Sequence, residues 1–386
     1  MKVLIKILTI SIFVISCQNV SIKVENQLIT FNLKELPKIT DVKLSDLNFE
    51  DIEYVPLETN EHSLIEEINE LTVSNDFFLA QYFNKILRFQ RDGSFVSKIG
   101  TEGRGPNEFL VAHDVDINKK NKNIYIVSAW QRKFYVYSEN GKFIRTFESP
   151  LNTTSFKITE DGILCYSINS SANVETSFTL IDTCGRIIKK FPNKYAYKGQ
   201  RGTAIFDENL FYRFNDRLFK KEVYSDTVYS FENMGFKPYL VIEHGKRLLT
   251  TAARSDFSPI YLFENFINQK NLFEFGDYIY YEFRTGNHLS YSFVGSKKNI
   301  FQALINSEQG LTNDLDGGPN IWPRTIKDNN TIISWIDPIQ LKTHVASEAF
   351  KNSTPKYPEK KKELEKLANS LKETDNPVLM MVRLKK

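Results

Sequence analysis

The chain has 386 residues, of which 41% are hydrophobic and 13% aromatic. This content is ample for a large core and excludes an intrinsically disordered protein. The formal net charge is +3, from 50 basic and 47 acidic side chains. Proteins that bind nucleic acid usually carry a strong basic excess, so we expect no nucleic-acid partner.

The first 17 residues predict a lipoprotein signal peptide. Lys2 and Lys6 give a positive start, and residues 7–15 form an apolar run that is too short to span a bilayer. The run ends in VISC, in which a small residue precedes Cys17, as in the bacterial lipobox. Cys17 would then be the lipidated first residue of the mature chain and would hold it at a membrane. The alternative is an ordinary secretory signal with an incidental cysteine.

One pattern then recurs along the chain, at 86–100, 133–147 and 177–191. Each copy is an alternating strand, a polar turn that ends in glycine and a second alternating strand. The turn glycines are Gly93, Gly141 and Gly185, which are 48 and 44 residues apart. Because only glycine adopts a positive φ without steric cost, we predict tight hairpin turns at these three positions.

Two more short strands lie between successive copies, so each period holds four strands. Four strands in about 45 residues are typical of a β-propeller blade, and the length predicts an all-β, six-bladed β-propeller. Strands at 28–33 and 52–58 are predicted to complete the last blade and so to remove an open sheet edge. Looser copies supply the fourth to sixth blades, at 227–245, 278–296 and 317–337.

The predicted boundaries are a signal peptide at 1–17, a propeller at 18–350 and a helical tail at 351–386. The tail carries leucines at helical spacing between 357 and 379, with Lys and Glu on the other face. We expect this helix to pack on the side of the propeller, and the alternative is a helix that docks a partner.

The glycine-rich stretch IGTEGRGPNE at 99–108 raises the possibility of a phosphate-binding loop. It has neither P-loop nor dinucleotide-binding spacing, and no Lys-Ser/Thr pair follows. We therefore interpret it as the crossing from the outermost strand of one blade to the innermost strand of the next.

The chain resembles the six-bladed β-propeller lipoproteins of Bacteroides-like bacteria, and DGSFVSKIGTEGRGPNEF is similar to an NHL-type repeat. The resemblance implies a propeller at the cell envelope, with members that often accompany glycan or peptide uptake, but it supplies little chemistry. It rests on the lipobox and on the motifs YVPLET (54–59), GRGPNEF (103–109), SDTVYSF (225–231), NDLDGG (313–318) and DNPVLMMVRLKK (375–386).

The candidate binding site lies at one mouth of the predicted channel, because crossing loops and second-to-third-strand loops share a face. A tryptophan platform with arginine neighbours suits sugar rings or anionic groups. The alternative is that Trp130 packs between blades and Arg104 pairs with an acid. Tyr195, Tyr197 and Arg201 would extend the face, or form a solvated loop. The residues predicted at the mouth are Arg104, Asn107, Glu108, His113, Trp130, Gln131 and Arg132.

His113 and Asp114 begin an innermost strand, so one of them is predicted to face the channel. Some lyases of the NHL type that this chain resembles place metal-binding histidines at this position. The other four histidines of this chain occupy unrelated blade positions. One histidine cannot make a three-ligand site, so we expect no metal and no cofactor. NDLDGG lacks the later ligands of a calcium loop and is interpreted as a turn. Cys165 and Cys184 are expected to be free thiols.

These observations favour a non-catalytic binding or scaffolding module, anchored in the outer membrane and facing the periplasm. Its ligand would be a glycan, a peptide or a partner protein. The alternative is a hydrolase or lyase with a site at the channel mouth near His113, and a third possibility is a structural subunit of a larger assembly.

Overall fold

Short strands of alternating pattern build six small antiparallel sheets that stand in a ring. The computed structural model describes residues 28–170, 172, 174–198, 207–286, 289–306 and 309–385. Each sheet has four strands, and one has a fifth. The first strands of neighbouring blades lie in contact around the axis, and the fourth strands form the rim. The fold is a six-bladed β-propeller, as predicted.

The blades are numbered in chain order. Blade one comprises β3 (Glu70–Val73), β4 (Phe77–Tyr82), β5 (Lys85–Gln90) and β6 (Phe95–Lys98). Blade two comprises β7 (Asp114–Ile117), β8 (Ile124–Ser128), β9 (Lys133–Tyr137) and β10 (Phe143–Glu148). Blade three comprises β11 (Thr153–Thr159), β12 (Gly162–Ser167), β13 (Thr176–Ile181) and β14 (Ile187–Pro192).

The later blades are less regular in sequence but have the same strand order. Blade four comprises β15 (Asn209–Phe214), β16 (Arg217–Glu222), β17 (Thr227–Glu232) and β18 (Gly235–Glu243), to which β1 (Ile29–Asn32) is added. Blade five comprises β19 (Asn268–Phe275), β20 (Tyr278–Thr285), β21 (Leu289–Ser296) and β22 (Gln302–Asn306). Blade six comprises β23 (Thr325–Asp328), β24 (Thr331–Ile336), β25 (Val378–Leu384) and β2 (Phe49–Pro56).

The core lies between the blades, because each sheet is covered on both faces. Side chains alternate across a strand, so β4 sends Phe77 and Leu79 toward blade two and Phe78 and Ala80 toward blade six. All four are buried. This two-sided burial explains why the second and third strands are buried along almost their whole length.

The ring is closed by strands from the two ends of the chain. β2 pairs antiparallel with β25, with Phe49 opposite Leu384 at one end and Pro56 opposite Val378 at the other. Beside this pair, the fully buried Asn376 accepts a hydrogen bond from Ile65 N–H at 2.8 Å and donates to the carbonyls of Glu58 and Ser63. The prediction for the strand at 52–58 is therefore confirmed.

Two boundary predictions are wrong. The strand at 28–33 does not complete the last blade, because β1 pairs in parallel with β18 of blade four, with Ile29 opposite Leu240 and Asn32 opposite Glu243. The segment 351–386 is not wholly a helical tail, since residues 378–384 form the third strand of blade six. An apolar edge strand needs a partner, and each of these segments finds one far along the chain.

Residues 28–48, here called the N-terminal belt, run around the rim of blades four to six. After β1, Ile39 bridges in parallel to Leu304 of β22, and Lys43 bridges to Thr312. Phe31 and Leu33 are buried, and the Phe31 ring meets that of Phe293 edge to face at 5.7 Å. The belt thus fastens three blades from outside.

The fifth and sixth predicted copies of the repeat are not third-and-fourth-strand hairpins. Residues 278–296 are the second and third strands of blade five, and residues 317–337 contain the first and second strands of blade six. The first three copies and the fourth are third-and-fourth-strand hairpins, as predicted.

The repeated turn glycines serve both conformation and blade packing. Gly93, Gly141 and Gly185 have φ values of +86°, +79° and +87°. A Cβ on these residues would lie 2.1, 2.6 and 2.9 Å from a backbone oxygen in the outermost strand of the preceding blade. The glycines recur because each hairpin turn abuts its neighbouring blade.

The two faces of the disc differ in their connections. The turn face carries the first-to-second-strand and third-to-fourth-strand turns. The connection face carries the crossings between blades and the second-to-third-strand loops, including all of the α-helices within the described ranges. These are α1 (Thr251–Asp256), α2 (Pro259–Asn265), α3 (Pro338–Ala346), α4 (Glu348–Asn352) and α5 (Pro358–Ser370).

The helix predicted near the end of the chain is α5, which lies between the second and third strands of blade six. Leu364 and Ala368 are buried against α3, while Leu367 is partly buried. Lys360 pairs with Asp51 of β2, so the helix lies against the outermost strand of this blade.

We predict that Gly141→Val destabilises the protein by about 1–3 kcal/mol, because valine is strained at positive φ and its Cβ meets the Lys98 carbonyl. Chemical denaturation measures the loss. Gly235→Ala is the matched control, since no positive φ occurs there and the nearest atom lies at 3.6 Å. Equal stability of the two variants would contradict this account of the turn.

Candidate functional site

The channel wall contains a pair of aspartates that cap an open sheet edge. Asp114 and Asp116 lie two residues apart on β7, so their side chains point the same way. Asp114 accepts a hydrogen bond from Phe156 N–H at 2.8 Å, and Asp116 accepts one from Ile158 N–H at 2.7 Å. Both donors belong to β11, the innermost strand of blade three, whose channel edge pairs with no other strand in the described part of the chain. The carboxylates therefore replace a missing strand.

Two cations neutralise these carboxylates. Lys157 of β11 pairs with Asp114 at 3.0 Å, and Arg213 of β15 pairs with Asp116 at 2.9 Å. Burial opposes ionisation of Asp116, but Arg213 and Lys157 outweigh it and lower the pKa of this carboxyl. Blades two, three and four are thus joined at the axis by an ionic cluster, which has a structural role.

Glu70 is the acidic group of the channel that the sequence analysis missed. It is accessible to solvent, but charges from the surrounding blades act on it. Partial burial, aided by Asp114 and Asp207 and opposed by Lys157, raises its pKa to about 7. Glu70 and Asp114 each begin the innermost strand of their blade. Comparison of equivalent positions in the two blades could therefore have identified Glu70 from the sequence.

The glycine-rich stretch is closed on itself. The Glu108 carboxylate accepts a hydrogen bond from Gly105 N–H at 2.8 Å. A Cβ on Gly103 would lie 2.0 Å from a Glu108 carboxylate oxygen. The loop's own side chain therefore occupies the place where a bound anion would approach the glycines. This geometry favours the crossing-loop interpretation over a phosphate cradle.

The predicted neighbours do meet on the connection face. Leu110 of the crossing loop donates its N–H to Gln131 at 2.7 Å, and its carbonyl accepts from Asn84 at 3.1 Å. The Gln131 amide also donates to Glu108 O at 3.3 Å. Two loops, 83–84 of blade one and 129–132 of blade two, are thus fixed to one crossing loop, and Gln131 is a structural residue.

His113 lies under Trp130. Its Nδ1 accepts a hydrogen bond from Ala129 N–H at 3.2 Å, and its ring meets the Trp130 ring edge to face at 5.7 Å. Burial lowers the pKa of His113, so the imidazole is neutral at pH 7. Trp130 does not pack between blades, because 74% of it is exposed.

The remaining predicted residues surround this pair without converging on one point. Arg104, Asn107 and Arg132 are exposed. Within the described contacts, neither arginine forms an ion pair, so the expected alternative of an Arg104 salt bridge is not observed there. Tyr137 OH donates to the backbone carbonyl of Asn107 at 2.8 Å.

The second aromatic segment is mostly structural. Tyr197 is buried and donates to Asn169 O at 2.8 Å, and Tyr195 stacks on Tyr224 with ring centroids 5.3 Å apart. Neither extends the binding face. Arg201 lies outside the described residues.

Exposed apolar side chains concentrate on the connection face. Four of them form what is here called the apolar rim, which spans blades one to three: Leu64, Phe83, Trp130 and Leu151, of which Phe83 is 68% exposed. Hydrogen bonds tie their loops together, including Ser149 N–H to Arg132 O at 3.0 Å. Further exposed members of the same face are Phe257, Ile260, Tyr261, Leu289 and Ile339.

The NDLDGG motif forms a buried, hydrogen-bonded turn in blade six. Asp316 is fully buried, and its carboxylate accepts from Asn313 at 2.7 Å and from Gly318 N–H at 2.9 Å. The imidazole of His344 contacts Gly317 O at 2.9 Å. Both Cys165, which is buried, and Cys184, which is exposed, are free thiols, as expected.

Among the described side chains, no three His, Cys, Asp or Glu residues come together to hold a metal ion. None of the helices within the described ranges is both long and apolar enough to cross a membrane. A cavity of about 560 Å³ opens on the turn face among blades four, five and six. Its polar groups bond mainly to one another, as Asn215 N–H does to Asn329 at 2.8 Å.

Residues 28–383 match the family described as Domain of unknown function (DUF4934). The chain belongs to this family. No curated protein sequence matches the chain. The resemblance to NHL-type repeats therefore rests on the motif alone.

Two of the solved structures similar to this DUF4934 protein come from Bacteroides. The "Putative exported protein" BF0058 of Bacteroides fragilis NCTC 9343 is 18% identical, with a TM-score of 0.71 over 93% of this chain and 100% of that one. A duf4221 family member of Bacteroides vulgatus ATCC 8482 is 13% identical, with a TM-score of 0.47 over 68% of this chain and 87% of its own. Only the first TM-score exceeds 0.5, and at this identity it supports the fold alone.

We predict that Glu70→Gln stabilises the protein above neutral pH. A raised pKa means that the stability linked to Glu70 is fully present below its unfolded value of 4.5 and is lost as the pH rises through about 7. Glutamine does not ionise, so the variant should melt at a higher temperature than the parent at about pH 8 and at the same temperature at about pH 4. Glu160→Gln, an exposed substitution on the turn face, is the control. An unchanged difference across this pH range would rule out a titrating Glu70.

Proposed function

We propose that this DUF4934 protein is a lipid-anchored β-propeller of the cell envelope that binds a partner protein or peptide through its connection face and catalyses no reaction. The observation that carries the proposal is the concentration of exposed apolar side chains on that face. Clusters of exposed apolar residues typically mark interaction sites.

The chemistry of the apolar rim on the connection face favours a polypeptide ligand over a glycan. Leu64 and Leu151 are aliphatic and offer no flat face for a sugar ring. Trp130 and Phe83 are large aromatic anchors, which are common at the centres of protein interfaces. Exposed Arg104 and Arg132 beside them supply polar contacts at the edge.

The alternative of a hydrolase or lyase near His113 has less support. The Nδ1 of this imidazole is engaged by a backbone N–H, and its neighbouring ring is a tryptophan rather than an acid. The aspartates of the channel wall are held by Lys157 and Arg213, so they are poorly placed for acid–base work.

Photo-crosslinking tests the binding face. We predict that a benzophenone amino acid placed at Phe83 or at Trp130, in cells that make the protein, yields one adduct of the same mass. The matched control is the same label at Ile188, which is 45% exposed on β14 at the rim of blade three. Equal crosslinking at all three positions, or none at any, would sink the proposal.

A sugar-dependent thermal shift that Trp130→Ala abolishes would instead make the ligand a glycan and overturn the preference for a polypeptide. The same assay on the purified parent protein detects this outcome without knowledge of the partner.

The anchor is tested separately. We predict that Cys17→Ala moves the protein from the membrane fraction to the soluble fraction, because the acyl chains of a lipoprotein are its only proposed hydrophobic anchor. Fractionation of cells followed by immunoblotting measures the change. Unchanged membrane association would show that the VISC motif is not a lipobox.

A further inference from the structure

The direction of β1 fixes the side from which the chain enters the propeller. β18 begins at Gly235, directly after the turn 233–234 on the turn face, and runs toward the connection face. β1 pairs with β18 in parallel, so it runs the same way. The amino end of β1 therefore points toward the turn face, at the rim of blade four.

The length of the preceding chain limits how far the disc can lie from its anchor. Residues 18–28 lie between Cys17 and β1, and eleven extended residues span at most about 38 Å. Five residues of β18 separate Leu240, the partner of Ile29, from Gly235 at the turn face, which is about 17 Å. An extended tether that continued along β18 would use about half of its length to reach the level of the turn face.

The opposite route is obstructed. On the connection face of blade four, α1 and α2 pack over Val223 and Tyr224. A helix adds about 10 Å to the height of that face. A tether that led to a membrane on this side would have to reverse its direction and pass the helices.

Two exposed apolar side chains lie on the turn face of blades four and five. Ile300 is 98% exposed on the third-to-fourth-strand turn of blade five, and Met234 is 40% exposed on the equivalent turn of blade four. Nearby cations are paired, Lys298 with Asp277 at 2.8 Å and Lys237 with Glu232 at 3.3 Å. Contact with a lipid surface would therefore depend on shallow apolar insertion rather than on attraction to anionic lipids.

We infer that the turn face of blades four and five lies against the membrane, with Ile300 at the headgroups, and that the connection face points away from it. This inference rests on the proposed anchor at Cys17. It gives the membrane and the binding partner opposite faces of the disc.

The chain supplies a convenient label site. Cys184 is an exposed free thiol on the turn face of blade three, and Cys165 is buried. Cys184→Ser removes the exposed thiol, and Ile300→Cys or Trp130→Cys in that background then places one label on either face. Both positions are exposed, so neither change disturbs the core.

The experiment uses the full lipidated chain in vesicles of phosphatidylethanolamine and phosphatidylglycerol that contain a lipid with a nitroxide on its headgroup. The nitroxide quenches only fluorophores in near contact with the headgroups. We expect several-fold stronger quenching at Ile300→Cys than at Trp130→Cys. Chain 18–386, which lacks the anchor, should show quenching at neither position.

Stronger or equal quenching at Trp130→Cys would overturn the inference, and so would the absence of quenching at both positions in anchored protein. Flotation of the vesicles before the measurement keeps the two proposals apart. Protein that does not float with the lipid contradicts the anchor itself, whereas protein that floats without quenching at Ile300→Cys contradicts only the orientation.

Discussion

Closure of the ring by β2 and β25 is the constraint on which the rest of this structure depends. The two strands come from opposite ends of the chain and form the third and fourth strands of one sheet. Asn376 also fixes the crossing that leads into blade one, because its buried side-chain amide bonds to the backbone there. Removing this amide is costly, since its buried partners would be left without hydrogen bonds. The channel, its ionic cluster and the connection face keep their shape only while the ring is closed.

The motifs by which the chain resembles envelope propellers are the joints of the fold. Asn376 belongs to DNPV, Asp316 to NDLDGG and Glu108 to GRGPNE, and each carries a side chain that satisfies backbone groups where strands no longer do so. At these positions the geometry calls for a side-chain amide or carboxylate that can reach the backbone. Their specificity is evidence about architecture, and it says little about a ligand.

The fold was predictable where the signal is local. Hairpin turns at Gly93, Gly141 and Gly185 need glycine, so the sequence itself marks the blades. The places of β1 and β25 were not predictable in this way, because each pairs with a strand that is distant in sequence and a short apolar run does not reveal its partner. The candidate site shows the same division. Loop 101–108 was correctly placed beside loop 129–133, whereas the raised pKa of Glu70 arises from burial and from charges on other blades.

The pairing of Phe49 with Leu384 also sets the order of events as the protein is made. β2 is made before blade one, whereas its partner β25 is made only after blades one to five. Until then the apolar strands of blades one and six lack their full cover, and long-range pairing of this kind is slow. The ring therefore stays open until blade six is complete, and the apolar side chains beside the gap remain uncovered until β25 is made.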